Sequence, residues 1–421
     1  MQKKLLTAAI GAALMAGTSL VQADVKVGGM AQVELYTAET ECSGIQAGSV
    51  GALVGSIPQN RLAPSALNGV CGKGNITGAN GISDNNAVDN VKETNANDNA
   101  RGRFWITADE EFAGGYKGLA KFEFSADTAD GGTADARNRE KYVGLQGGIG
   151  TILLGNTHGV YKRLGGTSWD TFNATNLEAR NNGGQSGGRF GHNAFIPGSI
   201  KYESPKFVGI QFQALYSPNG TVETVGGAEF KDQSNDWQAG LSWKGGPVEL
   251  IAAYSKDENT GRLTDTTTIR ATGTADRVRT RSGDDDLVSV KLGAKVAFAG
   301  HSLSIQAEKV DSSRTTFTAT NDAALAAIAN PGIPAVPGVT TTDYAWLHYA
   351  FKFGGNTIAA SYGKASSDEA VETETTYYML GYAYNLSKTF RTFAGYRSTQ
   401  SEQGVETADT SVISFGMRKD F

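Results

Sequence analysis

A serine in a nucleophile-like motif and four histidines are the residues of this chain whose types could support catalysis or metal binding. Residues 184–188 have the sequence G-Q-S-G-G, which fits the G-x-S-x-G pattern of hydrolases. That pattern exposes its serine on a sharp turn between a strand and a helix, whereas Ser186 lies in a loop rich in Gly and Asn. The histidines show no metal-ligand spacing, and they are His158, His192, His301 and His348. We therefore predict that the chain is not an enzyme and holds no metal or other cofactor.

The composition excludes several other classes of protein. The 421 residues include 38 Lys and Arg against 43 Asp and Glu, a formal net charge of −5, without a basic block that would bind nucleic acid. Charged residues make up 19% and hydrophobic residues 39%, which fits neither a disordered chain nor a bundle of membrane helices. The 54 glycines, 15 tyrosines and 18 phenylalanines indicate many turns between aromatic strands.

The first 23 residues have the features of a secretory signal peptide. Lys3 and Lys4 form a positive head, residues 5–20 are apolar, and residues 21–23 (V-Q-A) suit a signal peptidase. A membrane anchor helix is the alternative, although the run is short for one. We predict cleavage after residue 23 and a single mature domain over residues 24–421, whose formal net charge falls to −7 because two lysines are lost.

Export has a consequence for the two cysteines. In an oxidising compartment Cys42 and Cys71 can form a disulfide, which would close a loop of about 30 residues and contribute about 3 kcal/mol by restricting the unfolded chain. Two free thiols are the alternative.

The mature chain alternates between apolar and polar residues at period two, which predicts strands that are apolar on one face. The apolar positions include Val25, Val27, Ala31, Val33 and Leu35; Phe104, Ile106 and Ala108; Trp237, Ala239, Leu241 and Trp243; Val288 to Phe298 at even positions; Leu303, Ile305 and Ala307; and Tyr378, Leu380, Tyr382 and Tyr384. No later segment could cross a membrane as a helix, so a membrane-spanning form must be a closed barrel.

The connections between these strands fall into two classes that alternate strictly. Seven are short, at 114–115, 147–148, 205–208, 245–247, 299–300, 354–355 and 385–387. Eight are longer, at about 37–100, 125–138, 156–198, 218–236, 257–285, 311–343, 364–375 and 398–409. Fifteen such connections join sixteen strands, an even number with both termini on the short-turn side, as in an outer-membrane barrel. A soluble β-sandwich is the alternative, but it would seldom have only short turns at one end of its strands and only long loops at the other.

Four segments resemble the general diffusion porins of Gram-negative outer membranes. They are residues 103–121 (R-F-W-I-T-A-D-E-E-F-A-G-G-Y-K-G-L-A-K), 139–155 (R-E-K-Y-V-G-L-Q-G-G-I-G-T-I-L-L-G), 199–217 and the C-terminal segment 378–421. The resemblance covers most of the mature chain outside the long loops. It implies an all-β, sixteen-stranded antiparallel transmembrane barrel with short periplasmic turns and long extracellular loops, usually a homotrimer with three pores. It also implies that the third long loop folds into the lumen.

The resemblance further implies a constriction at which acidic residues of that loop oppose basic residues of the wall. By position the acids are Asp170 and Glu178, and solvated loop charges are the alternative for both. The basic wall residues are Arg103, Arg137, Arg139 and Lys201. The terminal Phe421 suits the aromatic girdle at the membrane interface.

The implied function is passive diffusion of ions and small hydrophilic solutes through a water-filled channel in the cell outer membrane, with membrane lipid and lipopolysaccharide as neighbours. A substrate-specific porin for an anion, sugar or organic acid, and a plugged structural or adhesive barrel, are the alternatives. The ion selectivity stays open, because a net charge of −7 favours cations whereas an arginine wall favours anions. Glu203 near Lys201, and Arg163, Arg180 and Arg189 in the loop, also depart from the family pattern.

Overall fold

The computed structural model describes the barrel strands, their turns and part of the loops. The described residues are 24–43, 90–97, 102–112, 114–126, 128–129, 139–180, 182–186, 195–218, 220–225, 228–233, 235–258, 263–269, 275–282, 286–314, 316–320, 338–368, 372–403 and 406–421. The signal peptide over residues 1–23, Arg137, Cys71 and the side chain of Cys42 lie outside this part of the chain. The cleavage site and the disulfide therefore stay predictions.

Nearly all of the described residues are in strands. The strands are β1 (Asp24–Ser43), β2 (Asn90–Asn97), β3 (Arg103–Phe112), β4 (Tyr116–Ser125), β5 (Lys141–Gly147), β6 (Gly150–His158), β7 (Phe195–Glu203), β8 (Ile210–Ser217), β9 (Gly220–Val225), β10 (Ala228–Gln233), β11 (Asp236–Gly245), β12 (Val248–Asp257), β13 (Leu263–Ile269), β14 (Ala275–Ser282), β15 (Leu287–Phe298), β16 (His301–Arg314), β17 (Thr316–Thr320), β18 (Gly338–Phe353), β19 (Asn356–Ser367), β20 (Thr373–Asn385), β21 (Phe390–Gln403) and β22 (Glu406–Asp420). Two short helices, α1 (Val160–Arg163) and α2 (Gly166–Trp169), follow β6. Within the described ranges, no helix has the length and apolar character needed to span a membrane.

Sixteen strand positions form one closed antiparallel barrel, which confirms the predicted fold class. They are β1, β3 to β8, β11, β12, β15, β16 and β18 to β22. The barrel closes between β1 and β22, which pair from Met30↔Asp420 to Ser43↔Thr407. The other edge of β1 pairs with β3 in its lower part and with β2 in its upper part, so β2 continues the position of β3.

All seven short turns lie where the sequence predicts them, but several long loops are shorter than predicted. β1 extends to Ser43, and β21 and β22 continue until Gln403 pairs with Glu406, inside the segment predicted as the eighth loop. The error has a physical reason. Above the membrane both faces of a strand meet water, so the apolar alternation stops there although the backbone ladder continues. The loops after β8, β12 and β16 also contain strands of their own, in a β9–β10 hairpin and a sheet of β13, β14 and β17.

The two faces of the barrel strands differ in polarity as predicted. The large apolar side chains at alternate positions lie exposed on the outer surface, including Val27, Leu35, Leu292 and Ile305. The intervening polar side chains point inward and are mostly buried, including Gln32, Lys201 and Gln306. Because apolar residues lie outside and polar residues inside, the barrel suits a lipid surround and a wet interior.

Candidate functional site

The segment from Gly159 to Ser186, described except for residue 181 and called loop 3 below, lies inside the barrel. It begins with α1 and α2 and continues through a series of turns to residue 186. It packs against the inner faces of β11, β12, β15, β16, β18 to β22 and β1, which we call the covered wall. The inner faces of β3 to β7, which face it across the lumen, are called the open wall. The prediction that this loop folds into the lumen is correct.

Glycines of the covered wall make room for loop 3. At Gly240 a Cβ atom would collide with Leu164, at Gly381 with the Phe172 ring, and at Gly395 with Leu177. The apolar side chains of the loop are therefore seated directly on the strand backbones. Together they form a buried apolar cluster inside the barrel, which includes Val160, Tyr161, Leu164, Trp169, Phe172, Leu177, Ile251, Trp346, Tyr377, Met379 and Phe393. This burial holds the loop in the lumen by the same effect that stabilises a globular core.

Glu308 on β16 joins the two ends of loop 3. Its carboxylate accepts hydrogen bonds from the Tyr161 hydroxyl (2.7 Å), from the Ser186 amide (3.2 Å) and from the Ser186 hydroxyl. On the neighbouring strand Lys291 pairs in register with Glu308, and its ammonium lies 4.1 Å from the centre of the Tyr161 ring. Glu308 thus fixes both ends of the loop to one point of the covered wall.

Glu34 on β1 holds the middle of loop 3. One of its oxygens accepts hydrogen bonds from the Asn176 amide (2.8 Å) and the Ser414 hydroxyl (3.0 Å). The Gln32 amide nitrogen donates both to Glu34 (2.9 Å) and to the Ala174 carbonyl (2.6 Å). Glu34 is completely buried, so these bonds are made away from water.

Three further side chains of the covered wall bind loop 3. The Tyr377 hydroxyl donates to the Leu177 carbonyl (2.6 Å), and the Arg397 guanidinium donates to the Asn182 side chain. The His348 ring nitrogen Nε2 lies 2.9 Å from the Thr171 hydroxyl, and its Nδ1 lies 2.6 Å from Ser361. The covered wall therefore satisfies backbone groups that an inserted loop would otherwise leave unpaired.

The two acids predicted for the constriction are buried within loop 3. Asp170 accepts hydrogen bonds from the Phe172 and Ala179 amides, both at 2.9 Å, and only 7% of the residue is exposed. Burial raises the pKa of Asp170 to about 7, although the two amide bonds lower it. Glu178 is 3% exposed, accepts from the Ala174 amide (2.8 Å) and lies 3.2 Å from the Arg180 guanidinium. Both carboxylates fold the loop instead of facing the open wall.

Charges of alternating sign run across the open wall from β3 to β6. Arg103 lies 3.0 Å from Glu123, and Lys121 lies 3.0 Å from Glu123 and 2.5 Å from Glu140. Glu140 is also 2.6 Å from His158. Burial raises the pKa of Glu140, but the bond to His158 and the Lys121 charge outweigh it and hold that pKa below its ordinary value. The predicted basic wall is therefore a ladder of paired charges.

The other predicted basic residues are not brought together in one group. Arg139 precedes β5 instead of lying within it, is 7% exposed, and donates to the Ser125 hydroxyl at 2.7 Å. Lys201 points inward on β7 and pairs with Glu203 at 2.8 Å, so the sequence-based expectation of mixed sign at this position is correct. Arg103 and Arg139 lie at the same wall, whereas Arg137 is outside the described residues.

The side of loop 3 that faces the lumen carries a cation and neutral polar groups. Arg163 and Ser168 are exposed, and Thr167, Thr171 and Asn173 are half-buried. The narrow part of the interior is thus bordered by Arg163 and hydroxyl groups on one side and by the open wall on the other. Such a border can orient water and attract anions, but it does not set a row of acids against a row of bases.

The residues that could have been catalytic have structural roles. Ser186 donates its hydroxyl to Glu308 in a loop without a following helix in the described segment. On the inner wall His158 lies 2.6 Å from Glu140 and His348 is hydrogen-bonded to Ser361. His301 stacks on Phe351 at 4.3 Å, and His192 lies outside the described residues. Among described residues no group of three His, Cys, Asp or Glu could hold a metal ion.

Sequence reasoning missed the acids that position the site, namely Glu34, Glu140 and Glu308. Glu34 and Glu308 do lie on the polar faces predicted by alternation, but that pattern gives no means of telling a buried anchor from a lumen residue. Phe421 pairs with Gly29 through two backbone bonds of 2.8 and 3.0 Å and its side chain is 64% exposed. This places Phe421 at the closing seam between β1 and β22, and its role in the aromatic girdle stays a prediction.

Comparison with known proteins gives one consistent family. The model of the Gram-negative porin family matches residues 7–404. The major outer membrane protein P.IA of Neisseria meningitidis serogroup C is 27% identical over 173 residues, which are 36% of this chain and 42% of that protein, so the match spans under half of its length. P.IB of Neisseria lactamica is 28% identical over 111 residues, 26% of this chain and 31% of that protein.

Solved structures share the fold at low sequence identity. An anion-selective porin from Comamonas acidovorans superposes with a TM-score of 0.60 at 16% identity, over 95% of this chain and 100% of that one. The outer membrane protein OmpT of Vibrio cholerae, in its trimer form, gives 0.58 at 11% identity, over 95% and 99%. The sixteen-stranded barrel, the inserted third loop and the match over nearly the whole sequence agree: the chain belongs to the Gram-negative porin family, whose place is the outer membrane.

Proposed function

We propose that this chain forms a water-filled channel for passive diffusion of ions and small hydrophilic solutes across the outer membrane. The observation that best supports a channel is the unequal covering of the two inner walls. Loop 3 buries Glu34, Glu308 and Arg397 on the covered wall, whereas Arg103 and Lys121 on the open wall each keep 18% of their side chains exposed and Lys117 keeps 31%. The lumen therefore passes along the open wall.

The charges that border this lumen favour weak anion preference. On the open wall Arg103 and Lys121 each keep 18% of their side chains exposed and Glu203 keeps 31%, whereas Glu123, Glu140, Arg139 and Lys201 are buried. Arg163 of loop 3 adds a further exposed cation, and the loop acids Asp170 and Glu178 are withdrawn by burial. A local excess of positive charge in the narrow part outweighs the net −7 of the whole mature chain, since distant charges are screened within about 10 Å at 0.1 M salt.

Recording from the purified mature barrel in planar bilayers tests both statements. We expect stable open steps and, in a salt gradient, a reversal potential of the sign that chloride permeation gives. Absence of open steps would support a plugged structural or adhesive barrel instead. Saturable block of the current by one sugar, phosphate or organic acid would support a substrate-specific porin.

The proposal includes the absence of enzymatic activity. The one nucleophile motif is unsuited to catalysis because Ser186 lies in a buried loop and its hydroxyl is held by Glu308, whose carboxylate also binds Tyr161 and the Ser186 amide. Hydrolysis of model esters by the purified barrel, lost in Ser186→Ala, would contradict this part of the proposal.

Assembly as a homotrimer is supported by the distribution of aromatic residues on the outer surface. Tyrosine and tryptophan favour the lipid–water interface. Outward examples lie on β7, β8, β11, β12 and β18 to β21, and they include Tyr216, Trp237, Trp243, Tyr254, Tyr349, Tyr362, Tyr378 and Tyr396. From β22 through β1 and β3 to β6, the described outward positions carry Tyr116 at a turn and otherwise Val, Leu, Ile, Phe, Met, Ala and polar residues. We assign this sector, which is poor in tyrosine and tryptophan and is called the aromatic-poor sector below, to subunit contacts and the remaining surface to lipid and lipopolysaccharide.

A bulky substitution on each surface tests the assignment. Ala120→Trp on β4 places an indole in the aromatic-poor sector, and Ala360→Trp on β19 places it on the proposed lipid surface. We expect native mass spectrometry to find trimers for the wild type and Ala360→Trp, and monomers for Ala120→Trp. Equal trimer fractions in both variants would refute the assignment.

A further inference from the structure

Three lysines on the inner surface of the barrel lie beside the periplasmic turns. Lys244 comes directly before the turn at 245–247, Lys295 lies four residues before the turn at 299–300, and Lys352 lies two residues before the turn at 354–355. Their strand neighbours Val296 and Phe353 are exposed on the outer surface, and the lysines at the intervening positions therefore point inward. Lys244 and Lys352 are exposed and Lys295 is half-buried, which leaves all three side chains in contact with the water of the lumen.

Strand register places two of these lysines on either side of an acid. Lys244 on β11 pairs with Glu249 on β12, and Glu249 pairs with Lys295 on β15. The next inward row, two residues further from the periplasmic turns, carries loop 3, because the Trp169 ring packs against Gly293 there. The row of Lys244, Glu249 and Lys295 therefore lies on the periplasmic side of loop 3, below the narrow part of the lumen.

The positive charges of this region are not neutralised as they are elsewhere on the inner surface. Lys295 interacts electrostatically with Glu249, Lys244 and Lys352, a group called the lysine cluster below. Among the described residues none of its three lysines forms an ion pair with an acid. Three positive charges thus face one negative charge, an excess of two. Other inward cations near the same rim do form ion pairs, namely Lys117 with Asp109, Lys201 with Glu203 and Arg418 with Asp420.

An unneutralised cluster on the wall of a channel attracts small anions. Ammonium groups donate charge-assisted hydrogen bonds to anionic oxygens, and a cleft lined by one sign of charge raises the local concentration of the opposite ion. β11 and β15 are two strand spacings apart, about 10 Å. Four-carbon lysine stems can reach an anion that lies above Glu249 from both sides. The backbone spacing therefore suits a single small anion held between Lys244 and Lys295.

Glu249 restricts which anion fits between the lysines. Lysine ammonium groups only donate hydrogen bonds, whereas a glutamate carboxylate only accepts them. An anion in this row must therefore present bare oxygens to the lysines and a hydroxyl to Glu249. At neutral pH inorganic phosphate keeps a proton on at least one oxygen, whereas sulfate keeps none and would meet the carboxylate with a bare oxygen. The carboxylate thus acts against anions that carry no proton.

We propose that the lysine cluster binds inorganic phosphate, with the ammonium groups donating to its oxygens and its P–OH group donating to Glu249. The cluster selects phosphate over sulfate through that proton. Because the site lies below loop 3, bound phosphate leaves the narrow part of the lumen open. The inference rests on the proposed function, since a site on the inner wall concentrates a solute for passage only if the lumen conducts.

The ³¹P resonance of inorganic phosphate, titrated into the purified mature barrel in detergent, tests the proposal. Exchange with a large particle broadens the line, and we expect saturable broadening in the millimolar range. Lys244→Gln/Lys295→Gln should weaken binding about tenfold, the value of one or two charge-assisted hydrogen bonds. Lys388→Gln/Lys419→Gln is the matched control, because it removes two charges from the same rim about four strand spacings or more from Lys295. The control should bind phosphate as the wild type does.

Glu249→Gln provides a gain that misfolding cannot imitate. In the wild type, sulfate should displace phosphate only at a concentration about tenfold higher than phosphate itself requires, because it lacks the bond to Glu249. A glutamine at residue 249 presents both a donor and an acceptor and has no charge. Sulfate should then compete within about twofold of phosphate, a rise in sulfate binding of at least about fivefold.

Four results would overturn the proposal: broadening that does not saturate, equal loss of binding in the control variant, sulfate competing as well as phosphate in the wild type, or unchanged sulfate competition in Glu249→Gln. Saturable block of the KCl current by phosphate would overturn it too, since the site would then lie in the narrow part. Open steps in KCl are recorded for the same proteins. Their absence in the wild type refutes the proposed channel, whereas normal steps without phosphate binding refute only the lysine cluster.

Discussion

The covered and open walls of the barrel interior contain similar charged residues, but these residues have different roles on the two walls. On the covered wall Glu34, Glu308 and Arg397 are buried and bind backbone or side chains of loop 3. On the open wall Arg103 and Glu123 bind each other across neighbouring strands. A charge on the first wall positions the constriction, and a charge on the second borders the solute path. The inward orientation of a polar residue is therefore not sufficient to assign it to the pore lining.

The largest effect is expected from adding a side chain at a glycine of the covered wall on which loop 3 packs. Gly381→Val adds branched atoms where the Phe172 ring already contacts the strand backbone, and overpacking of this kind costs about 1–3 kcal/mol or more. We expect displacement of the loop and a marked change in single-channel conductance. Ala360→Val, which faces outward on the adjacent strand, is the control and should leave the conductance unchanged. An unaltered conductance in Gly381→Val would show that the position of loop 3 does not depend on a glycine at residue 381.

Removing the anchor at the ends of the loop should have the next largest effect. Glu308→Ala leaves the Ser186 amide, the Ser186 hydroxyl and the Tyr161 hydroxyl without their acceptor, at about 1–3 kcal/mol for each group that stays dry. Hydrogen exchange should become faster at the amide of Ser186, and the open-channel current should become noisier. Glu308→Gln keeps an acceptor oxygen and should lie between the wild type and the alanine variant. Equal exchange rates in all three proteins would contradict the anchoring role.

Asp170→Ala distinguishes an acid that folds the loop from one that borders the pore. It leaves the Phe172 and Ala179 amides unpaired, and we expect the loop to lose about 2–4 kcal/mol of local stability. The hydrogen-exchange rates of these two amides should rise more clearly than the ion selectivity changes. A shift of the reversal potential towards anions without faster exchange would instead place the carboxylate at the lumen.

The smallest effect concerns the exposed cation of loop 3. A unit charge about 8 Å from an ion in water contributes about 0.5 kcal/mol, so Arg163→Gln should lower the anion-to-cation permeability ratio about twofold. Arg163→Lys keeps the charge and is the matched control. If the reversal potential is the same in both variants, Arg163 does not border the solute path.

Much of the barrel could be predicted from local sequence. Alternation identified the faces of β11, β15 and β16, and glycine-rich turns identified the periplasmic rim, because lipid on one side and water on the other impose a period of two. The prediction was less accurate where β21 and β22 leave the membrane, since both faces of a strand meet water there.

The candidate site was predicted less completely than the barrel. Arg103 and Lys201 were correctly placed on the inner surface, but Asp170 and Glu178 were expected to face the open wall and are buried in loop 3. Their partners are backbone amides and an arginine within the loop, a pattern without a periodic signal. Glu308 was not singled out at all, because its partners Tyr161 and Ser186 are more than a hundred residues away in the chain.

The sequence by itself determined the strand number, the two faces of each strand and the position of the inserted loop, because each of these follows from the local contrast between lipid and water. Tertiary structure alone decided which inward charges anchor loop 3 and which remain along the lumen. That distinction depends on which wall the loop covers. The loop packs on glycines of distant strands and is hydrogen-bonded to buried carboxylates of distant strands. Burial converts these carboxylates into fixed acceptors for backbone amides, and burial is a property of the assembled barrel.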